Sequence, residues 1–445
     1  TAIRIPEVDK RGYRHVVLEN RMEAILVSDP ETHSGAAALC VAVGQLDDPP
    51  EVEGLAHFLE HMLFLGTEKY PEESNFDQWC ASCAGYSNAW TSLDNTLYHF
   101  IVAHNKLKET LDRFSSFFSC PLLSEGGTER EMHAVDSEHN KNLQDDDRRE
   151  FQILKATTAR GHPMSRFGSG NFKSLHDVPL AKGVDVRKAL LDFHKGLYSA
   201  NLMRLCVIGR DSLDEMEGWF RDMFGGITDR NVTTLDDREW AQGEAFGEEW
   251  RGMYVLVPVK ERRRLSIMFR APSVDAEYRT KPQHFLSFVM GHEGPGSLLA
   301  ILKDLGWATE LVAGPGTSLP NESVFSLGIS LTEEGLPNWE KVLQVAFHFL
   351  HTIRASSVER RADLWREMAD IRELNFRYRS KDREDAYSEG LAYALNRFPA
   401  EDAVCAGEVF LEPFSPEVNE RLDEILDKNL NPANMRVHLS CPEAE

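Results

Sequence analysis

Two histidines and a glutamate stand together in Leu55-Ala56-His57-Phe58-Leu59-Glu60-His61-Met62-Leu63-Phe64-Leu65-Gly66. His57 and His61 are four residues apart, which on a helix puts both imidazoles on one face, one turn apart. Two neutral imidazoles so placed can bind one zinc ion. Glu60 lies close to the same face. It can hydrogen-bond a water at the metal without ligating the ion and take its proton as general base. The order is the inverse of the commoner His-Glu-x-x-His. The plain alternative is a buried helix with two satisfied histidines. The surrounding Leu, Phe and Met residues favour a dry, low-dielectric site instead.

A zinc site needs a third protein ligand and an open fourth position. The candidates lie in Glu129-Arg130-Glu131-Met132-His133-Ala134-Val135-Asp136-Ser137-Glu138-His139-Asn140. Glu131 and Glu138 are seven apart, two helical turns, so both carboxylates share a face. Spacing does not choose between Glu131, Glu138, His133 and His139.

These residues resemble the pitrilysin/insulysin family of zinc metallopeptidases, the inverzincins, most closely its insulysin branch. The matching text is His57-Phe58-Leu59-Glu60-His61-Met62-Leu63-Phe64-Leu65-Gly66-Thr67, then Glu131 and Val135-Asp136-Ser137-Glu138-His139. The resemblance implies one Zn2+ per chain, held by His57, His61 and Glu138. It makes Glu60 the base and Glu131 a support that does not touch the metal. It also implies an edge strand at Ser87-Asn88-Ala89-Trp90, where Asn88 and Ala89 meet an extended peptide substrate. A distant substrate exosite would comprise Gly291, Glu293, Leu311 and Ala313. The family commonly has Gly where Ala313 stands.

The elements that position these residues read as mixed α and β. Residues 15–18 and 24–27 are strands around Glu19-Asn20-Arg21, a hairpin in which Asn20 tolerates the left-handed conformation. Residues 35–44 read as a buried strand, broken by Asp47-Asp48-Pro49-Pro50 ahead of the metal helix. An amphipathic helix spans 107–118. The runs Asp145-Asp146-Asp147-Arg148-Arg149-Glu150 and Lys260-Glu261-Arg262-Arg263-Arg264 read as a solvated helix face and a solvated hairpin. His162-Pro163-Met164-Ser165-Arg166-Phe167-Gly168-Ser169-Gly170-Asn171 reads as a structured turn, with His162 not a ligand. Gly291-His292-Glu293-Gly294-Pro295-Gly296-Ser297 reads as a helix cap and turn before a helix near Ser297, not a phosphate cradle. Leu364, Met368, Ile371, Leu374 and Tyr378 sit at helical spacing and are expected in a core.

Two echoes at one offset of about 230 residues indicate a tandem repeat. Leu197-Tyr198-Ser199-Ala200-Asn201-Leu202-Met203-Arg204-Leu205 recurs as Leu430-Asn431-Pro432-Ala433-Asn434-Met435-Arg436-Val437. His57-Phe58-Leu59-Glu60-His61 finds His284-Phe285-Leu286-Ser287-Phe288, in which the base and one ligand are gone. The expected division is a catalytic zinc-binding domain at 1–228, a linker at 229–249 and a degenerate second repeat at 250–445. The expected fold is α/β (α+β). The resemblance implies two tandem homologous domains, each a mainly antiparallel sheet with helices packed on one face.

Hydrophobic residues make up 42 % of the 445, enough for sizeable cores. A formal charge of −23 argues against a nucleic-acid partner. No apolar run reaches the ~18 residues of a membrane span and no signal peptide is visible, so a cytoplasmic location without membrane partner is expected. The start at Thr1 reads as a trimmed N-terminus. The seven cysteines are odd in number and scattered, which fits a reducing compartment and no disulfide framework. Cys80-x-x-Cys83 reads as ordinary packing.

The function expected is zinc-dependent endopeptidase action on peptides or small unfolded polypeptides. Insulysin-like enzymes are about twice this length, and their second half closes a chamber over the zinc. The chain therefore resembles the N-terminal half, with a C-terminal half or paired subunit as partner and a homodimer of the full-length enzyme as a further one. The alternative is a non-catalytic peptide-binding or structural subunit of the same fold. Such subunits usually break the ligand set, and here His57, Glu60, His61 and Glu138 are all present. A non-peptidase metal hydrolase is a third reading, which peptide cleavage would separate from the first.

Overall fold

In a computed structural model, which describes residues 2–73 and 75–442, the described strands are β1 (Gly12–Val17), β2 (Glu23–Ser28), β3 (Ser34–Val41), β4 (Tyr86–Thr91), β5 (Thr96–Ala103), β6 (Met203–Gly209), β7 (Gly252–Leu256), β8 (Arg264–Pro272), β9 (Ala308–Ser318), β10 (Glu322–Leu331) and β11 (Met435–Ser440). The α-helices are α1 (Leu55–Leu63), α2 (Asn75–Ser82), α3 (Leu107–Ser119), α4 (Glu125–Asn142), α5 (Asp146–Ala156), α6 (Val178–Ala181), α7 (Val186–Leu197), α8 (Leu213–Phe224), α9 (Pro282–Met290), α10 (Leu298–Asp304), α11 (Trp339–Arg354), α12 (Val358–Arg377), α13 (Glu384–Leu395) and α14 (Pro416–Glu424).

Two compact units share the chain. The first holds residues up to Asn142, Arg166–Trp240 and Arg377–Gly407; the second holds Leu143–Ser165, Ala241–Phe376 and the chain from Glu408 on. The units are interleaved. Helix α5 belongs to the second and α13 to the first, an exchange absent from the linear division at 228–249.

The first unit's sheet has the order β1-β2-β6-β3-β5-β4. Only β2 and β6 run parallel; the other pairs are antiparallel. Ala37, Leu39 and Val41 of β3 join a core with Phe58, Leu59 and Met62 of α1, Phe114 of α3 and Phe220 of α8. Ala36, Ala38 and Cys40 point the other way, yet they too are fully buried, because α13 packs across β3, β5 and β6. Burial on both faces explains why β3 is an unbroken apolar run. Its small side chains let α13 approach closely.

The second sheet, β7-β11-β8-β10-β9, repeats the first without β1. Strands β7 and β11 are parallel and the remaining pairs antiparallel. In both units the echoed turn, Ala200–Leu202 or Pro432–Asn434, feeds a central strand, and the echoed helix, α1 or α9, follows the strand beside it. Matched topology supports the duplication. Ser287, in the place of Glu60, donates to the Ala313 carbonyl at 2.6 Å. In the second copy the position of Glu60 is a tether between helix and edge strand.

Four local expectations need correction. In the β1–β2 hairpin the left-handed residue is Arg21 (φ 64), not Asn20. The Asn20 side chain instead donates to the carbonyls of Phe224 and Ile227 at the end of α8. The acidic run at 145–150 and the basic run at 260–264 are not independent solvated faces. Asp146 accepts from the backbone of Val259 and Lys260, and Asp147 pairs with Arg262 at 2.7 Å. On α12, Met368 is buried and Leu364 packs half-buried against the core, but Ile371 and Leu374 are exposed, as is Tyr378 just past the helix end, and Trp365 takes a core position. The glycine-rich turn behaves as expected, with Ser297 capping α10 through the amide of Ala300. No disulfide joins any of the described cysteines. Among the described residues no helix is long and apolar enough to cross a membrane.

Candidate metal centre

Helix α1 is held at its start by a buried carboxylate. Asp48 accepts from the amides of Gly54 and Ala56, each at 2.7 Å, which satisfies two N-terminal donors and complements the helix dipole. Gly54 has φ +90 and packs against Gly170 so tightly that a Cβ would lie 2.3 Å from the Gly170 Cα. That contact sets the loop at 168–171 against α1. Its Ser169 carbonyl accepts from His57 Nδ1 at 2.6 Å.

The apolar side of α1 is buried, while His57 and His61 are half-buried on the other. His61 Nδ1 faces Glu131 Oε1 at 2.8 Å. With each Nδ1 proton given to an oxygen acceptor, Nε2 is the nitrogen of each neutral ring that can offer its lone pair to a metal. Both Nε2 atoms meet one oxygen: Glu138 Oε2 lies 3.7 Å from His57 Nε2 and 3.5 Å from His61 Nε2. Tetrahedral zinc with bonds of about 2.1 Å separates its donors by roughly 3.4 Å. The donor set therefore fits the ion in both chemistry and spacing.

Of the four residues that spacing left open, Glu138 alone brings its carboxylate to both imidazoles. Glu131, two turns away on α4, stands behind His61. His133 stacks on Phe172 with ring centres 4.7 Å apart, and His139 meets the edge of Phe167 at 5.0 Å. His162 accepts from the Met164 amide in its own turn.

Glu60 is 7 % exposed. Its Oε2 accepts from Thr91 Oγ1 at 2.5 Å. Burial pushes its carboxyl above the ordinary range, against the opposing pull of His57 and the Thr91 hydrogen bond. Contact with His61 holds the Glu138 carboxyl down at about 2, against the cost of burial. Burial works against a charged His61, but Glu131 and Glu138 overcome it and raise the imidazole to about 9. Thr91, Ser169 and Asp48 were not singled out as site residues from sequence. Thr91 follows the strand segment 87–90 that was, and Ser169 lies in the loop read as a structured turn, but nothing local marks either as a hydrogen-bond partner of the centre.

The remaining positions fall on edges. Asn88 is exposed and Ala89 half-buried on β4, the outermost strand of its sheet. Leu311 and Ala313 lie on β9, the outermost strand of the other. The Leu311 side chain is in the core, so only its backbone is available to a ligand. Gly291 ends α9, and Glu293 is exposed in the following turn.

Two family models match. The insulinase model, peptidase family M16, covers residues 23–167, and the M16 inactive-domain model covers 185–360. Human insulin-degrading enzyme is 41 % identical over 429 residues, which is 96 % of this chain and 41 % of that enzyme. The A-factor-processing enzyme of Saccharomyces cerevisiae is 37 % identical over 98 % of this chain and 41 % of its own length. The crystal structure of pitrilysin superposes with a TM-score of 0.91 at 30 % identity, covering 99 % of this chain and 46 % of that one. The chain thus spans less than half the length of these relatives.

Proposed function

This chain belongs to the insulinase/pitrilysin (M16) peptidase family, and from that premise we propose that it is the zinc-binding N-terminal half of a peptide-cleaving metalloenzyme. The observation that carries this reading is the convergence of His57 Nε2, His61 Nε2 and a Glu138 oxygen within 4.8 Å of one another, with Glu60 beside them on the same helix. Zn2+ bound there supplies a Lewis acid that polarises a peptide carbonyl and eases ionisation of water. Glu60 takes the proton of the attacking water and delivers it to the leaving amine. Thr91 holds the carboxylate in position by donating to one oxygen, which leaves the other for the proton. Glu131 keeps His61 in the tautomer that offers Nε2, and the Ser169 carbonyl does the same for His57.

An extended peptide adds to the outer edge of β4 at Asn88 and Ala89, where unpaired backbone groups are available. Gly291, Glu293 and the backbone of Leu311 and Ala313 hold the substrate's N-terminal end. A C-terminal half, covalent or as a paired subunit, closes the chamber, and the full-length enzyme forms a homodimer. The test is hydrolysis of an internally quenched peptide by the zinc-loaded chain, alone and with a complementary half. Cleavage that a chelator stops and zinc restores is expected. A zinc-loaded protein that cleaves nothing in either form rejects the peptidase reading.

Two further results are expected at this centre. Glu131→Gln lowers zinc affinity by about 10–100-fold, because the amide still accepts from His61 Nδ1 but no longer carries the charge that strengthens the ligand. Competition with a chromophoric chelator measures this, and an unchanged constant removes Glu131 from the site. Zinc affinity also rises with pH. Metal-free His61 stays protonated up to about pH 9, so binding must displace a proton. The apparent affinity increases about tenfold per pH unit between pH 6 and 8 and levels off near 9. A flat profile over that window contradicts the proton-competing role of His61.

A further inference from the structure

Asp385 and Glu389 stand four residues apart on α13, which puts both carboxylates on one face of the helix. His99 of β5 faces them. Its neighbours Tyr98 and Phe100 belong to the core on the opposite side of the sheet, so the pleat turns His99 toward α13. A nitrogen of His99 and one oxygen from each carboxylate lie within 4.8 Å of one another. His99 is only 4 % exposed, and its Nδ1 has no hydrogen-bond partner, although Glu389 Oε1 is 3.2 Å away. A buried imidazole nitrogen left unbonded is costly in a native fold. The charges also fall short. Arg383 engages Asp385 through Nε at 2.5 Å and Nη2 at 2.6 Å, and the Tyr86 hydroxyl also donates to Asp385. Among the described residues no lysine or arginine forms an ion pair with Glu389.

We propose that His99, Asp385 and Glu389 form a second cation site, which takes Zn2+ through one imidazole nitrogen and two carboxylate oxygens. One imidazole with two carboxylates suits a first-row divalent ion better than the all-oxygen shells of calcium or magnesium. Two carboxylates balance its charge. The side chain of Arg383 is 63 % exposed, so it can withdraw into water as the ion arrives without stranding a buried cation. Water completes the coordination from the exposed side of Glu389. Tyr86 opens β4, so an ion on Asp385 ties α13 to the edge strand.

The test separates this site from the first. In the chain carrying His57→Ala and His61→Ala, zinc measured after equilibrium dialysis stays at one ion per chain. Adding Glu389→Gln to that variant brings it to none. In the otherwise unaltered chain, Glu389→Gln reduces zinc from two ions to one. Circular dichroism confirms that each variant is folded. As an independent readout, zinc raises the unfolding midpoint of the His57→Ala/His61→Ala chain and leaves that of the triple variant unmoved. A folded His57→Ala/His61→Ala chain that retains no zinc overturns the proposal and leaves a plain His99–Glu389 contact. Retention of the ion, or of the zinc-induced shift, after Glu389→Gln overturns it equally.

Discussion

Glu60→Gln lowers peptide turnover by about 10²–10⁴-fold, the range lost with a general base, while zinc content stays the same. The two halves of that result have separate causes. The group proposed to hold the metal comprises His57, His61 and Glu138, so no donor to the ion is removed. Glutamine has the same shape, and its amide oxygen still accepts from Thr91. What disappears is the ability to take a proton. At this position the loss is complete, because the side chain is buried and no other carboxylate shares its place on α1. Steady-state hydrolysis of a quenched peptide, with zinc measured on the same sample, checks both halves. Undiminished cleavage rejects Glu60 as the base. Loss of zinc together with cleavage makes its role structural.

Gly54→Ala is the second large effect, expected to cost about 2–4 kcal/mol of stability from left-handed strain plus overpacking. Two independent penalties meet there. The residue has φ +90, where an L side chain is strained, and the new Cβ would come within 2.4 Å of the Gly170 nitrogen as well as close to its Cα. Both contacts are with backbone, so no rotamer change relieves them. The loop at 168–171 must move, and it carries the Ser169 carbonyl away from His57 Nδ1. Zinc affinity therefore falls with stability, although Gly54 is not one of the proposed ligands. A denaturant-unfolding curve of the metal-free chain and a zinc titration measure the two losses. A variant as stable as the parent, with unchanged affinity, shows that the glycine pair does not set the site.

Periodicity was enough to pair His57 with His61 and to pair Glu131 with Glu138. Within one helix, relative position follows from the repeat alone. The repeat architecture was also legible, because the two echoes kept the same order of helix, turn and strand. Assigning Glu138 rather than His133 or His139 took the family resemblance at first. In the fold the reason is visible: the two histidines on α4 are turned against Phe167 and Phe172, and Glu138 meets both Nε2 atoms. Arg21 shows a smaller limit. Residue preference pointed to Asn20 for the left-handed turn position, but Asn20 is occupied with the carbonyls at the end of α8, some 200 residues later in the chain.

By itself, then, the sequence determined the His-x-x-Glu-His pattern, the helices that carry it, the mixed α/β class and the duplication. All of these rest on spacings shorter than two helical turns or on repetition of such spacings. Only the tertiary structure decided which carboxylate meets the histidines, that Ser169 bonds His57 and Thr91 bonds Glu60, and that α5 and α13 are exchanged between units. These depend on side chains from distant segments packing into one volume. The amino-acid order does not display such contacts, because each arises from the shapes and burial of many residues at once.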